Sequence, residues 1–194
     1  MRLALALLVL ALAAGWRVLA THAPALSNFA PLMALTFCAA VYIQDKRMWL
    51  VPFAALFVSD LYLDYHYASA YGETWIWPSV AVRLLCFALT LPLGRLVARH
   101  KNWLNLFSGA LAGAIFFYLA TNTDAWIRDP FYAKSAAGWW QAMTVGRPEF
   151  PPTLLFFRNT LVSDLLFTGV FAFAMEFAAL RAGNGSLLGK RASA

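Results

Sequence analysis

Six long apolar segments leave this chain few ways to fold. The segments lie at about residues 3–20, 28–43, 48–63, 79–97, 103–121 and 153–180. An α-helix rises about 1.5 Å per residue, so most of these segments approach or exceed the roughly 30 Å of a bilayer's hydrocarbon core. Only 12% of the residues are charged, about half the share found in soluble domains. The sequence therefore predicts an all-α, multi-pass membrane protein with six transmembrane helices.

Six helices account for the chain without a soluble insert, so residues 1–182 are predicted to form one membrane domain. Residues 183–194 are polar and basic, and they are predicted to form a flexible cytoplasmic tail. The start of the chain, with Ala11-Leu12-Ala13 as a small-residue cleavage motif, also fits a secretory signal. Because the apolar run continues toward Ala20, a retained first membrane helix is the preferred interpretation.

Basic residues are distributed unequally between the two sides of the predicted bundle. The side that holds both chain ends has nine basic and two acidic residues, a net charge of +7. The opposite side has six basic and seven acidic residues, a net charge of −1. Because short loops rich in Lys and Arg stay in the cytoplasm, both termini are predicted to be cytoplasmic.

The sixth segment carries polar groups that are costly in a membrane helix. Arg158, Asn159 and Asp164 lie within seven positions of an otherwise apolar run. A charge near the middle of such a helix costs about 2.5–3.5 kcal/mol on insertion scales. On a helix, Asn159 and Asp164 fall with Thr160 and Ser163 within an arc of roughly 140°. We interpret this arc as the polar wall of a solute site, although the same groups would also serve to hold neighbouring helices together.

Polar side chains also gather at the predicted outer ends of the other segments. Successive helices alternate in direction, so these ends meet on the same side of the membrane. The residues predicted to bind the solute are Asn28, Asp60, His66, Arg83, Asn122, Trp126, Arg158, Asn159 and Asp164. The inner half of the bundle is expected to hold almost no polar groups. A site open only to the outside indicates capture of a solute, whereas a channel needs a polar path to both faces.

Other chemistries have little support in the sequence. Asp60, Asp64 and His66 suggest a metal site, but no further histidine cluster completes it, and Asp64 and His66 are expected in a loop beyond the third helix. The sequence has no catalytic triad or phosphate-binding loop, so the chain is not predicted to be an enzyme, and no metal or cofactor is expected. Its basic residues do not form the patch of a nucleic-acid-binding protein.

Short motifs at the helix ends carry a family resemblance. They are Asn28-Phe29-Ala30-Pro31, Ser59-Asp60-Leu61 with His66, Phe87-Ala88-Leu89, Gly94-Arg95, Thr121-Asn122 with Trp126, and Phe156-Phe157-Arg158-Asn159-Thr160-Leu161 with Asp164. This set resembles an uncharacterised family of six-helix bacterial membrane proteins. That family is similar to the substrate-binding S components of energy-coupling-factor (ECF) vitamin transporters. The resemblance covers most of the chain and is most specific in the sixth segment.

The resemblance implies an S-component-like bundle in the bacterial cytoplasmic (inner) membrane. Such a protein binds a vitamin or a cofactor-type small molecule from the outer side. It either works alone or docks on an ECF transmembrane coupling subunit with ATPases. One branch of solitary S components handles cobalamin, with a cysteine able to ligate the corrinoid cobalt. Cys86, directly before Phe87-Ala88-Leu89, is the matching thiol in this comparison.

A different class of function is also compatible with the sequence. The first and fifth segments are rich in alanine and glycine, and small residues let membrane helices approach each other closely. Such surfaces either pack within the bundle or dock a partner subunit. The alternative function is therefore that of a structural or assembly subunit of a larger membrane complex.

Overall fold

The computed structural model describes residues 15–20, 23, 26–71, 77–186 and 188, and every regular element within these residues is a helix. The helices are α1 (Leu32–Tyr42), α2 (Leu50–Tyr71), α3 (Trp77–Arg99), α4 (Trp103–Arg128), α5 (Ala136–Thr144) and α6 (Thr153–Arg181). A 3₁₀ turn at Lys46–Trp49 leads into α2. Residues 15–20 are also helical. The rest of the predicted first segment, with the cleavage motif, and most of the predicted tail lie outside the described residues.

Four helices of the described part are long and apolar enough to cross a bilayer. These candidate spans are Lys46–His66, Pro78–Arg99, Trp103–Arg128 and Thr153–Arg181. Large apolar side chains are widely exposed on them; Leu104 is 74% exposed and Phe173 is 66% exposed. Lipid tails solvate such a surface, whereas in water it would promote aggregation. The prediction of an all-α membrane protein with several transmembrane helices is therefore confirmed, whereas the number of six stays a prediction.

The first of the labelled helices, α1, is short and central. Its 11 residues extend about 16 Å at 1.5 Å per residue, so the predicted segment 28–43 is helical only in its middle. Asn28 has a φ of 63°, which turns the chain before α1, and Ile43 is extended after it. Nine of the eleven residues are buried, as expected for a helix that is apolar on all sides.

Glycines on α3 and α4 face α1. A Cβ atom at Gly94 would lie 2.7 Å from the Ala40 Cβ and 2.7 Å from the Phe37 carbonyl oxygen. At Gly113 the nearest atom to an added Cβ is the Met33 sulfur at 3.8 Å, an ordinary contact. Small residues at helix crossings permit close packing in membranes. The absence of a side chain at Gly94 therefore allows the close approach of α1 to α3.

Two helices extend further than predicted. Asp64 and His66 lie within α2, so the prediction that they follow the helix in a loop is wrong. Asn122 and Trp126 likewise lie within the last turns of α4. Polar residues end an apolar run, but a helix usually continues until a glycine or a proline stops it. Such a residue comes only later in each case, and Pro130 follows α4 by two positions.

The long aromatic connection predicted after the fifth segment contains a helix of its own. The Ser135 hydroxyl caps α5 by accepting a bond of 3.2 Å from the Gly138 N–H. Trp139 then donates to the Thr123 hydroxyl over 3.1 Å, which fastens α5 to α4. This connection is therefore an ordered part of the fold at the same end of the bundle as the amino-terminal end of α6.

We expect Gly94→Ala to destabilise the protein, because the added methyl group would meet atoms of α1 at 2.7 Å. Overpacking of this kind typically costs about 1–3 kcal/mol. The matched control is Gly113→Ala, which is expected to be neutral or stabilising, since alanine is favoured over glycine in a helix by about 1 kcal/mol. Thermal unfolding of the purified protein in detergent measures the difference. Equal melting temperatures for the two variants would contradict this packing.

Candidate functional site

A cavity of about 480 Å³ opens at one end of the helix bundle. Its wall is built from the carboxyl-terminal half of α2, the carboxyl-terminal end of α4, the amino-terminal ends of α3 and α6, and the segment that precedes α1. Helical residues 15–20 and the connection after α5 complete it. Separate parts of the chain therefore contribute side chains to one concave surface.

Asp60 lies between two arginines in the cavity wall. Its carboxylate pairs with the Arg17 guanidinium and accepts a bond of 2.7 Å from Arg83 Nε. Arg83 also reaches Asp64, with 3.0 Å between Nη2 and Oδ2. The Asp60 side chain is only 2% exposed, and a buried charge needs such partners. We call Arg17, Asp60, Asp64 and Arg83 the ionic cluster.

Helical spacing explains why the ionic cluster forms. Asp60 and Asp64 are four residues apart and therefore lie on one face of α2. Arg83 lies nearly two turns into α3, which begins at the end of the bundle where α2 finishes. Arg17 reaches the same point from helical residues 15–20 and also donates to the Ser59 hydroxyl over 2.7 Å. The ionic cluster thus connects three parts of the chain that are distant in sequence.

A second polar group of the cavity comes from the region after α4. Asp129, Tyr132 and Arg147 all line the cavity, and Arg147 Nη1 lies 3.5 Å from Asp129 Oδ2. Burial raises the pKa of the Tyr132 phenol, and the negative charge of Asp129 raises it further. Tyr132 is therefore a neutral hydroxyl at physiological pH, able both to donate and to accept a hydrogen bond.

Aromatic side chains form the apolar part of the lining. Phe29, Phe150 and Phe156 reach the cavity from the segment before α1, from the connection after α5 and from α6. A mostly apolar surface with a few convergent polar groups is typical of small-molecule sites. Because the polar groups include both arginines and aspartates, the cavity suits an organic molecule that carries acceptors as well as donors.

The cavity brings together part of the predicted site. Of the predicted residues, the ones that line it are Asn28, Asp60, Arg83 and Asn122. His66 and Trp126 lie on the same helices as two of these but outside the lining. The His66 ring stacks on Tyr62 at 6.3 Å between centroids, and Trp126 donates to the Ala133 carbonyl over 2.9 Å.

The predicted residues of α6 lie elsewhere. Arg158 donates to the Asn159 side-chain oxygen, 3.1 Å from Nη2, and Asn159 in turn donates to the Ser27 carbonyl over 2.9 Å. Asp164 is buried deeper in the bundle, and Cys86 is buried in α3. These four side chains are outside the cavity lining, to which α6 contributes Thr153 and Phe156 instead.

A family model matches residues 1–185, which include every element of this cavity. The chain belongs to DUF6580. This is a family of unknown function. Neither a curated protein nor a solved structure matches the chain. These comparisons therefore give no link to S components, and the resemblance to them stays a prediction from the sequence motifs.

Besides Asp64, which the sequence suggested only as a metal ligand, three charged residues of the DUF6580 cavity are absent from the predicted site. They are Arg17, Asp129 and Arg147. All three belong to the outer side in the count of charges along the sequence, and that count is the only sequence signal that points to them. Their positions in irregular connections or at helix ends carry no periodic pattern, so only the fold brings them to the cavity.

Buried polar side chains also lie farther from the cavity, where the sequence predicts almost none. Thr36 is buried on α1, and Thr168 and Glu176 are buried on α6. Thr36 donates to the Leu32 carbonyl over 2.8 Å, and a bond of this kind lets a hydroxyl lie within an apolar helix at little cost. Glu176 accepts from the Ser186 hydroxyl over 2.8 Å. These hydrogen bonds allow the polar side chains to be buried between helices without forming a solute site.

Asp60 and Asp64 do not form a metal site with His66. Both carboxylates bond to Arg83, and the histidine ring faces Tyr62. Across the described ranges, no group of three or more His, Cys, Asp or Glu side chains is arranged to hold a metal ion.

We expect Asp60→Asn to destabilise the DUF6580 protein far more than Asp64→Asn. Removing Asp60 leaves two arginines without their shared buried partner, and breaking such a pair costs about 3–5 kcal/mol. The two arginine side chains are 20% and 23% exposed, so partial hydration places the loss at the lower end of this range. Asp64 is 26% exposed, and its loss should cost about 1 kcal/mol or less. Denaturant unfolding in mixed micelles measures both, and a larger effect at Asp64 would contradict the assignment.

Proposed function

We propose that this chain is a membrane-embedded substrate-binding subunit, similar to an S component, that captures a vitamin or cofactor-type small molecule from the outer side of the membrane. The observation that supports the proposal is the open cavity of about 480 Å³ at one end of the bundle. Its volume lies within the range of about 300–1,000 Å³ that is usual for small-molecule sites.

The side chains of the cavity favour a polar solute with a flat ring. Arg17, Arg83 and Arg147 offer guanidinium donors for carboxylate or phosphate groups. Asn122 and Tyr132 offer neutral donors and acceptors. The phenylalanines of the wall provide surfaces on which an aromatic or heterocyclic ring can pack. Water-soluble vitamins combine these features.

The proposal includes six membrane crossings with both termini in the cytoplasm of a bacterium. Four crossings correspond to the candidate spans, and a fifth to the predicted first segment. The sixth is the predicted segment 28–43, in which α1 is the helical middle and the flanking residues complete the crossing. It begins beside the cavity and leads at its other end into the start of α2. The net charges of +7 and −1 on the two sides favour this orientation, with the cavity facing outward. Reporter fusions at the chain ends test it.

The proposed partners are the lipid bilayer and the solute, with an ECF transmembrane coupling subunit and its ATPases as a further candidate. Large apolar side chains are exposed on the helices, as contact with lipid or with a docked subunit requires. A corrinoid remains among the candidate solutes. Because Cys86 is buried away from the cavity, cobalt ligation by this thiol is not part of the proposal.

The test is direct identification of a bound solute. The protein is purified in detergent, a retained small molecule is identified by native mass spectrometry, and binding is measured by thermal shift with a panel of vitamins that includes a corrinoid. Retention of one vitamin-sized compound at a fixed stoichiometry is expected. A protein that retains nothing and responds to no member of the panel would contradict the proposal, and reproducible co-purification with a non-transport complex would favour an assembly role.

We expect Asn122→Ala to weaken binding of the identified solute by roughly tenfold, since one lost hydrogen bond to a ligand is worth about 1.4 kcal/mol at most. The matched control is Asn105→Ala, which lies on the same helix at the opposite end. Its side chain bonds the exposed His100 carbonyl over 2.6 Å and is not part of the cavity. Isothermal titration calorimetry should give wild-type affinity for the control, and equal losses in both variants would contradict the location of the site.

A further inference from the structure

A buried polar track lies on α6 below the cavity. Ser163 and Thr168 are fully buried, and Asp164 is 2% exposed. The Ser163 hydroxyl oxygen and both Asp164 carboxyl oxygens have no hydrogen-bond partner among the described residues. Buried polar groups are almost always satisfied, so two adjacent exceptions on one helix require an explanation. Ionisable residues inside a membrane are rare and usually functional.

Asp164 faces a small hollow between helices. The hollow measures about 10 Å³, which is about the space of one water molecule. Apart from Asp164, its lining is apolar with one hydroxyl, that of Thr90 on α3, and it includes glycines of α4. The titratable group that faces Asp164 from α1 is the Cys38 thiol, beside Thr168. In the part of the chain that the structure describes, α3 and α4 bring no charged or titratable side chain to the hollow.

The amino-terminal end of α1 supplies the electrostatic counterpart. Ala34 lines the same hollow and lies in the first turn of α1, where backbone N–H groups lack partners within the helix. Pro31 at the N-cap provides no side-chain bond to them. A helix amino terminus stabilises a nearby negative charge, whereas burial favours the neutral acid. Both charge states of Asp164 are therefore accessible, and within the described part of the chain no salt bridge fixes either of them.

The hollow does not suit a metal cation. Hard cations in proteins take about six or more oxygen ligands, and the hollow offers only the Asp164 carboxyl group and the Thr90 hydroxyl. The hydroxyl already donates to the Phe87 carbonyl over 2.7 Å. A proton needs only one lone pair of the carboxylate, with a single water molecule to deliver it.

The segment before α1 connects Asp164 to the cavity. Asn159 and Thr160 on α6 bond the carbonyls of Ser27 and Asn28, over 2.9 Å and 3.5 Å. Ser27 and Asn28 line the cavity, and α1 begins four residues after Asn28. Asn28 also has a positive φ of 63°, a conformation that asparagine adopts more readily than most residues. A small shift of the amino-terminal end of α1 would therefore move the cavity wall.

We propose that Asp164 is a proton-binding site within the membrane, and that its charge state sets the position of the amino-terminal end of α1 and of the cavity wall at Ser27 and Asn28. The charged carboxylate draws the first turn of α1 toward α6. On protonation this attraction is lost, and the segment that carries Asn28 loosens. The proposal concerns the protein without its solute, so it does not depend on the function proposed above.

Infrared difference spectroscopy of the purified protein tests the proton site. We expect the C=O band of a protonated, buried carboxyl group to appear as the pH is lowered. The band should be absent in Asp164→Asn and should return with a different midpoint in Asp164→Glu. Glu176→Gln is the matched control, since it removes the other buried acid of α6 and should keep the band. A wild-type protein without such a band, or loss of the band in Glu176→Gln alone, would overturn the proposal.

Hydrogen–deuterium exchange tests the coupling to the cavity wall. Peptides that cover residues 26–35 are compared at pH values above and below the infrared midpoint, with labelling times scaled for the intrinsic pH dependence of exchange. We expect faster exchange at the lower pH in the wild type and in Glu176→Gln, and exchange without pH dependence in Asp164→Asn. Peptides of α5 serve as an internal reference and should not change. Equal exchange of residues 26–35 at both pH values in the wild type would overturn the coupling.

Discussion

The pairing of Asp60 with Arg17 and Arg83 is the interaction on which the arrangement at the cavity depends. A carboxylate that is 2% exposed is tolerated in an apolar bundle only when cations lie against it. Its two arginines come from helical residues 15–20 and from α3, so satisfying one buried charge fixes the relation of three chain segments. The same side chains line the cavity. The same ion pairs therefore stabilise this end of the bundle and supply the charged groups of the cavity.

The short central helix α1 explains why polar groups lie so deep in the bundle. A helix of 11 residues cannot cover the full depth of the membrane, and the cavity occupies the space beyond its amino-terminal end. Ala34, in the first turn of α1, and Asp164 line the same small hollow below the cavity. A long apolar helix in the same place would fill the cavity and shield the carboxylate, so both features follow from the length of α1.

Close packing on the opposite side of α1 makes this arrangement specific. Gly94 admits the backbone of α1 to 2.7 Å from where its own Cβ would be, and nine of the residues of α1 are buried. In a bilayer, helix association depends on such contacts and on polar bonds between helices, because lipid is as apolar as the side chains. This chain thus combines a tightly packed region around α1 with one end of the bundle that is held by ion pairs around an open space.

The sequence alone determined the class of the protein and the end of the bundle where charges collect. Long apolar runs require helices in a bilayer, and alternate directions bring Asn28, Asp60, Arg83 and Asn122 to one side. The tertiary structure decided which of the polar residues share a cavity. In the structure, Arg158 bonds Asn159, Asn159 bonds the segment before α1, and Asp164 is buried below the cavity. Arg17 and Arg147, whose positions in the sequence follow no periodic pattern, line the cavity as well. Hydrophobic periodicity reports which residues avoid water, but the rotation and length of each helix depend on contacts with other helices, which no single segment encodes.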